Sequence, residues 1–374
     1  MVRPPDSRSG DQLSVTGRVV VAGVGSHQRL ISARASNADL WAAIESLAVP
    51  GAGTERLEAL HGVALGRNAQ RRFAAYVRQA RAYYGAIRDL DPVAKPLLGY
   101  YFALNLTKAF LTSQDPSTTE GILRHGAGDA TRVGARYRLT QETLKLQQSG
   151  IVRDLAMRTG MGHCWPAGDR IQISRLFSYL VEAVDLYADA SGRAPKLVPV
   201  AKTRVSATSA GAKGEVWLNL DVARSALRER GITATKLLEE SRVLGDRYCL
   251  VHDRDDPETV TYEGVTPVSF TSRKAALPAA RNSFDESLIL RNRSTSGGRD
   301  YVVLTKRPAL MSQEAVTFVL LLHLSNIVRY RPQQAEALNA TAHSWLFSSW
   351  VGRACENLLL AISSRLSLEE HVIG

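Results

Sequence analysis

The sequence predicts an α+β protein: a mainly helical domain built from both ends of the chain, with a strand-rich insertion between them. Three observations carry this. Apolar residues recur at helical spacing from about residue 36 onward and again from about 312 almost to the end. After Pro195 the pattern changes to short Val-, Thr- and Tyr-containing runs bounded by turn residues. A chain of 374 residues, 45% of them hydrophobic, is long enough for two structural units. The expected boundaries are a loosely ordered N-terminal arm over 1–34, a helical domain over 35–194, the insertion over 195–310, and C-terminal helices over 311–374 that pack on the first helical domain.

Within the arm, "VVVAGVGS" places Gly23 and Gly25 after a valine run. That is half a dinucleotide fingerprint, lacking the third glycine and a following helix, and a short strand or flexible arm is the better reading. "SNADLWAAIESL" starts the helices, with Ser36 or Asn37 as cap and Leu40, Trp41, Ile44 and Leu47 on one face. "RNAQRRFAAYVRQARAYYGAI" places Phe73, Tyr76, Val77, Ala80 and Tyr84 on one side and arginines on the other. "DPVAKPLLGYYFALNLTKAFL" follows, opened by Pro92 and Pro96. "TSQDPSTTEG" reads as a loop and "RIQISRLFSYLVEAVDLYADASG" as one amphipathic helix ending near Gly192. The insertion begins with two strands in "KLVPVAKTRVSATSAGAKGEVWLNL". A short helix, "DVARSALRERG", comes next with Asp221 as N-cap and Gly231 beyond its end. "RYCLVHD", "TVTYEG", "SLILRN" and "YVVLTK" are further strands, and "SQEAVTFVLLLHLSNIVRY" returns to helix.

Lys and Arg number 47 against 36 Asp and Glu, a formal charge of +11, which favours anionic partners, nucleic acid first among them. Three cysteines, Cys164, Cys249 and Cys355, stand far apart with no C-x-x-C pair, so no disulfide framework or thiolate zinc site is expected. The N-terminus is polar, and "AVTFVLLLHL" is too short to span a bilayer. The expectation is a cytoplasmic protein with no membrane partner, no metal and no cofactor.

The polar residues of the apolar helices mark a candidate site. Tyr101, Asn105, Lys108 and Thr112 share one face of an otherwise apolar helix. A buried Lys requires a cleft, a carboxylate or an anionic ligand; the alternative is a Lys that snorkels beside a satisfied Asn. In the C-terminal helix His323, Asn326 and Tyr330 share a face beside Ser325 and Arg329, so the two polar stripes either enclose a pocket or form an internal hydrogen-bond network. Between them "ILRHGAGD" holds His125 in a Gly-rich turn that permits close approach of a ligand.

These residues also carry a resemblance. "KPLLGYYFALNLTKAFLTSQDP", then His125-Gly126, then "ETLKLQQSG", and finally "LSNIVRY", resemble the YaaC-like family of bacterial proteins. The matching positions are Lys95, Pro96, Lys108, Ala109, Asp115, Pro116, His125, Gly126, Lys145, Gln147, Gly150, Leu324, Ser325, Arg329 and Tyr330. The resemblance covers both helical ends and is weak across 195–310. It brings no settled activity, but its recurrent polar positions Lys108, His125, Lys145 and Arg329 coincide with the polar stripes.

The functional expectation is a nucleic-acid-associated protein, a component of an antiviral defence complex, that takes an anionic ligand at Asn105, Lys108, His125, Lys145, His323, Arg329 and Tyr330. Arg273, Lys274, Arg281, Arg291, Arg293 and Arg299, in two basic turn-rich segments, are the candidates for phosphate contact. Two alternatives stand beside it. One is a HEPN-like ribonuclease using Arg158 and His163, with His125 as another candidate and Arg365 with His371 at a similar spacing. The other is a non-catalytic adaptor with a protein partner, or a nucleotide-binding module, consistent with the lack of a Walker A loop, H-E-x-x-H or G-x-S-x-G.

Overall fold

The computed structural model describes residues 12–14, 36–121, 124–131, 139–159, 167–207, 214–241, 244–245, 248–251, 258–265, 268–270, 289–291, 300–304, 312–341 and 343–367. The protein is a mainly helical α+β fold with small antiparallel sheets. It divides into two compact units. Unit 1 comprises Met1–Leu30 and Lys196–Pro308; unit 2 comprises Ile31–Pro195 and Ala309–Gly374.

The first described element, β1 (Gln12–Ser14), belongs to unit 1; the rest of the expected N-terminal arm, with Gly23 and Gly25, lies outside the described residues. Unit 2 then begins with α1 (Asn37–Leu47). Ser36 caps it, its hydroxyl accepting from the Asp39 N–H while the Asp39 carboxylate accepts from the Ser36 N–H, which satisfies two donors at once. Next come α2 (Ala52–His61), α3 (Arg67–Ile87) and α4 (Lys95–Gln114), the last with Pro96 in its opening turn, where a missing N–H costs nothing. The stretch after α4 is a single 3-10 turn, Pro116–Thr119, whose Ser117 N–H donates to the Asp115 carboxylate.

Helix α4 is the axis of unit 2. It packs against α3 and, from the far end of the chain, α10 (Gln313–Tyr330) and α12 (His343–Ser367). The reason is sequence. Phe102, Ala103, Leu106, Ala109 and Phe110 turn in all directions around it and are all buried. Each large one contributes about 1.5–3 kcal/mol. Close approach depends on Gly99, where a Cβ would meet Leu321 and Val351 at 3.2 Å. At the far end of α4, Gln114 donates to His61 Nδ1 and the other ring nitrogen of His61 lies 3.0 Å from the Leu366 carbonyl, tying α2, α4 and α12 together.

A small sheet flanks these helices. Strands β2 (Ala127–Asp129), β3 (Thr143–Leu146) and β4 (Arg170–Gln172) pair antiparallel, with Gly128 opposite Lys145 and Lys145 opposite Arg170. Helix α5 (Ile151–Arg158) lies between β3 and β4 in sequence. The single helix expected over 170–191 is instead β4, a short α6 (Ile173–Phe177), a 3-10 turn at Val181–Ala183 and α7 (Val184–Ser191). The break is held from elsewhere: the Gln313 side chain accepts from the Val181 N–H and donates to the Tyr179 carbonyl.

Unit 1 contains β5 (Leu197–Pro199), β6 (Lys202–Ala207), β7 (Gly214–Ala223), α8 (Arg224–Glu229), α9 (Ala234–Glu240), β8 (Tyr248–Val251), β9 (Thr259–Gly264), β10 (Val268–Phe270), β11 (Ile289–Arg291) and β12 (Asp300–Val303). Its larger sheet runs β1-β6-β7-β9-β8, with β10 also on β7, and its smaller one β11-β12-β5. Leu220, Val222, Leu237, Val260 and Tyr262 form its core. Asp221 is not a helix cap: β7 continues through it, its carboxylate accepts from the Thr261 hydroxyl at 2.8 Å, and Ala223 takes the cap position. The chain closes unit 2 with α10, α11 (Pro332–Asn339) and α12. No helix among the described residues is long and apolar enough to cross a membrane.

Candidate functional site

The polar stripe of α4 resolves into two kinds of residue. Asn105 is buried and donates to the Tyr101 carbonyl at 2.8 Å; Thr112 donates to the Lys108 carbonyl at 2.7 Å. Both side chains bond back to their own helix. Lys108 does not. It is half-buried, its Nζ sits 5.3 Å from the centre of the Tyr76 ring, and it has no carboxylate partner among the described residues. Burial holds its pKa below the ordinary lysine value.

His125 comes to the same place through two glycines. Gly126 and Gly150 both have positive φ, at 85° and 128°, and a Cβ on Gly150 would lie 2.5 Å from the Gly126 nitrogen. The crossing lets Ile151 N–H donate to the Arg124 carbonyl and Val152 N–H to the His125 carbonyl. The first amides of α5 are therefore consumed by the His-Gly turn. Tyr100, buried in α4, places its hydroxyl 2.7 Å from His125 Nδ1. Burial raises the Tyr100 pKa, and burial together with the charges of Lys108 and Arg329 lowers that of His125. The phenol is thus protonated and the imidazole neutral near pH 7, so the hydroxyl donates to Nδ1 and the ring proton sits on Nε2.

Arg329, exposed at the end of α10, completes the group. Its guanidinium carbon lies 5.9 Å from the Tyr101 ring centre and 4.7 Å from that of Tyr330, which is 65% exposed. Tyr101 in turn stacks on Tyr83 with centroids 5.4 Å apart. The result is two cations and a neutral imidazole framed by tyrosine rings and open to solvent at the end of α10.

The other expected residues lie apart from this group. His323, placed on a common face with Tyr330 by helical spacing, is instead fully buried, with its Nε2 3.2 Å from Glu142 Oε2. Glu142 also accepts from the Thr131 hydroxyl at 2.9 Å and pairs with Arg331 at 3.2 Å; Arg331 reaches Asp129 at 2.8 Å. Burial pushes the Glu142 carboxyl up, but His323, Arg331 and Thr131 outweigh it, and the net shift is downward. Sequence reading passed over Asp129, Glu142 and Arg331. The available signal was an acid ending "HGAGD", another directly before the "TLKL" strand and a second arginine closing the "VRYR" helix end.

Lys145 is exposed on β3. Arg158 ends α5 and pairs with Asp115 at 3.4 Å, whereas His163 lies outside the described residues. Arg365 pairs with Glu314 at 3.0 Å, and His371 is likewise outside them. Arg273, Lys274, Arg281, Arg293 and Arg299 are outside the described residues too, and Arg291 is described only in its backbone, opposite Asp300.

No curated protein and no solved structure matches the chain. The model of the YaaC-like protein family matches residues 55–366, a span that includes α3, α4, the His-Gly turn, β3 and α10. By that match over most of its length, the chain belongs to the YaaC-like protein family.

Proposed function

We propose that unit 2 binds a phosphate-bearing ligand at Lys108, His125 and Arg329, and that this ligand is nucleic acid. The observation that carries the reading is Lys108: a half-buried ammonium with no carboxylate partner among the described residues, beside an imidazole held neutral and a second cation. An anion there would recover the electrostatic cost of burial. Tyr330, 65% exposed, offers its ring to a base, and an overall charge of +11 favours a polyanion over a single metabolite.

Fluorescence anisotropy of labelled single-stranded RNA and DNA, measured over a salt series, tests this. Affinity falls as salt rises. Lys108→Ala and Arg329→Ala each weaken binding about tenfold, the scale of one charge-assisted hydrogen bond. Ligand also raises the His125 pKa, followed by NMR of its ring protons, because a nearby anion favours imidazolium. Absent or salt-insensitive binding, or variants that bind like the unaltered chain, would sink the reading.

A further inference from the structure

The cluster of Asp129, Glu142 and His323 is separate from the cationic group, and its chemistry is opposite. The three residues come from three elements: the end of β2, the approach to β3 and the middle of α10. One oxygen or nitrogen from each lies within 4.8 Å of the others.

His323 is the informative member. Its side chain is 0% exposed, and among the described residues neither ring nitrogen makes an aligned hydrogen bond, although Nε2 points to Glu142 Oε2 at 3.2 Å. A buried polar atom without a partner costs about 1–3 kcal/mol, and folds rarely leave one. A buried imidazole aimed at carboxylate oxygens, without the alignment of a hydrogen bond, is a donor set for a cation.

The surroundings suit one. Thr131 donates to Glu142, and Arg331 bridges Glu142 and Asp129 while also donating to Gln334 Oε1 at 2.6 Å. These contacts fix both carboxylates, as outer partners of metal ligands do. Arg331 brings one positive charge against the two carboxylates of Asp129 and Glu142. A carboxylate has about four acceptor sites, so an ion can share these oxygens with the guanidinium.

We propose that Asp129, Glu142 and His323 bind a divalent cation. One imidazole with two carboxylates selects the borderline class of Zn²⁺, Mn²⁺ or Co²⁺. Ca²⁺, which takes six to eight oxygens, has too few here. Ligand distances of about 2.0–2.2 Å around a tetrahedral ion put donors about 3.4 Å apart, so donors that now lie within 4.8 Å of one another must close by up to about an ångström. Three protein ligands leave a further coordination position. Occupied, the site fastens β2 and the approach to β3 onto α10.

The test uses the full-length chain, stripped with a chelator and titrated with Co²⁺ while its visible absorption is read, then with Zn²⁺ by calorimetry. The expected result is one ion per chain, with Co²⁺ bands of nitrogen and oxygen ligation and a raised melting temperature. Asp129→Asn, at the solvent edge, keeps the fold by circular dichroism and weakens binding at least about tenfold. His323→Gln abolishes the Co²⁺ bands. No saturable binding would leave Arg331 as the cluster's sole cation and overturn the proposal. Variants that bind as tightly as the unaltered chain would place the ion elsewhere and do the same.

Discussion

Helix α10 contributes to two polar clusters of opposite design. At its exposed end, Arg329 joins Lys108 and His125 in a group with surplus positive charge and solvent access. At its buried middle, His323 meets Glu142 in a cluster where Arg331 crosses over to two acids. The first leaves a cation half-buried with tyrosine rings for company; the second surrounds a guanidinium with carboxylates. The contrast teaches that burial does not decide which charges a fold pairs off. Glu142 and Lys108 both lose water, yet among the described residues only Glu142 finds opposite charge.

Breaking the paired site has the largest expected effect. Glu142→Ala strips Arg331 of one acid and leaves it with Asp129 and Gln334. Removing one partner of a buried ion pair costs about 3–5 kcal/mol. Urea unfolding reads this directly, and a loss under about 1 kcal/mol would mean the pair is structurally idle. Lys108→Ala, by contrast, should leave the unfolding midpoint nearly unchanged while weakening ligand binding.

A second buried carboxylate sharpens the point. Glu182 is buried, with the Thr317 hydroxyl donating to it at 2.9 Å and Glu314 nearby, and among the described residues it has no cation like Arg331. Burial pushes its pKa up to about 7. The fold therefore holds this proton more tightly than the unfolded chain does. Its stabilising contribution is complete below about pH 4.5 and is lost as pH rises through 7. The shift corresponds to about 3 kcal/mol. Glu182→Gln should remove that component, so the gap in stability between variant and unaltered chain changes by this amount between pH 4.5 and 7.5. A constant gap in denaturation across that range would show that Glu182 titrates normally.

The smallest effect is expected at Asn105. Its amide donates to the Tyr101 carbonyl, so Asn105→Ala should cost under about 1 kcal/mol and change ligand affinity less than about threefold. Binding lost with Asn105 would extend the ligand site along α4.

Much of the scaffold was legible because it obeys local rules. The Ser36 cap, the α3 and α4 periodicities and the return to helix at Gln313 all follow from neighbours in sequence. Lys108, His125 and Arg329 stood out because each interrupts a pattern: two polar residues in apolar helices and one histidine ahead of two glycines. The misreadings share a cause. Apolar spacing over 170–191 fits one helix, but Gln313, distant in sequence, satisfies the backbone where that helix breaks. Asp221 resembles a cap, but Thr261 on the neighbouring strand gives its carboxylate a partner and β7 runs on. Asp129, Glu142 and Arg331 acquire meaning only from each other, and no local spacing relates them.

The crossing of Gly126 over Gly150 bears on kinetics. The turn that presents His125 is bonded to the first residues of α5 and cannot swing without moving that helix. The imidazole is thus in place before any ligand arrives. Association should be a single step limited by diffusion and steered by charge, its rate proportional to ligand concentration with no plateau.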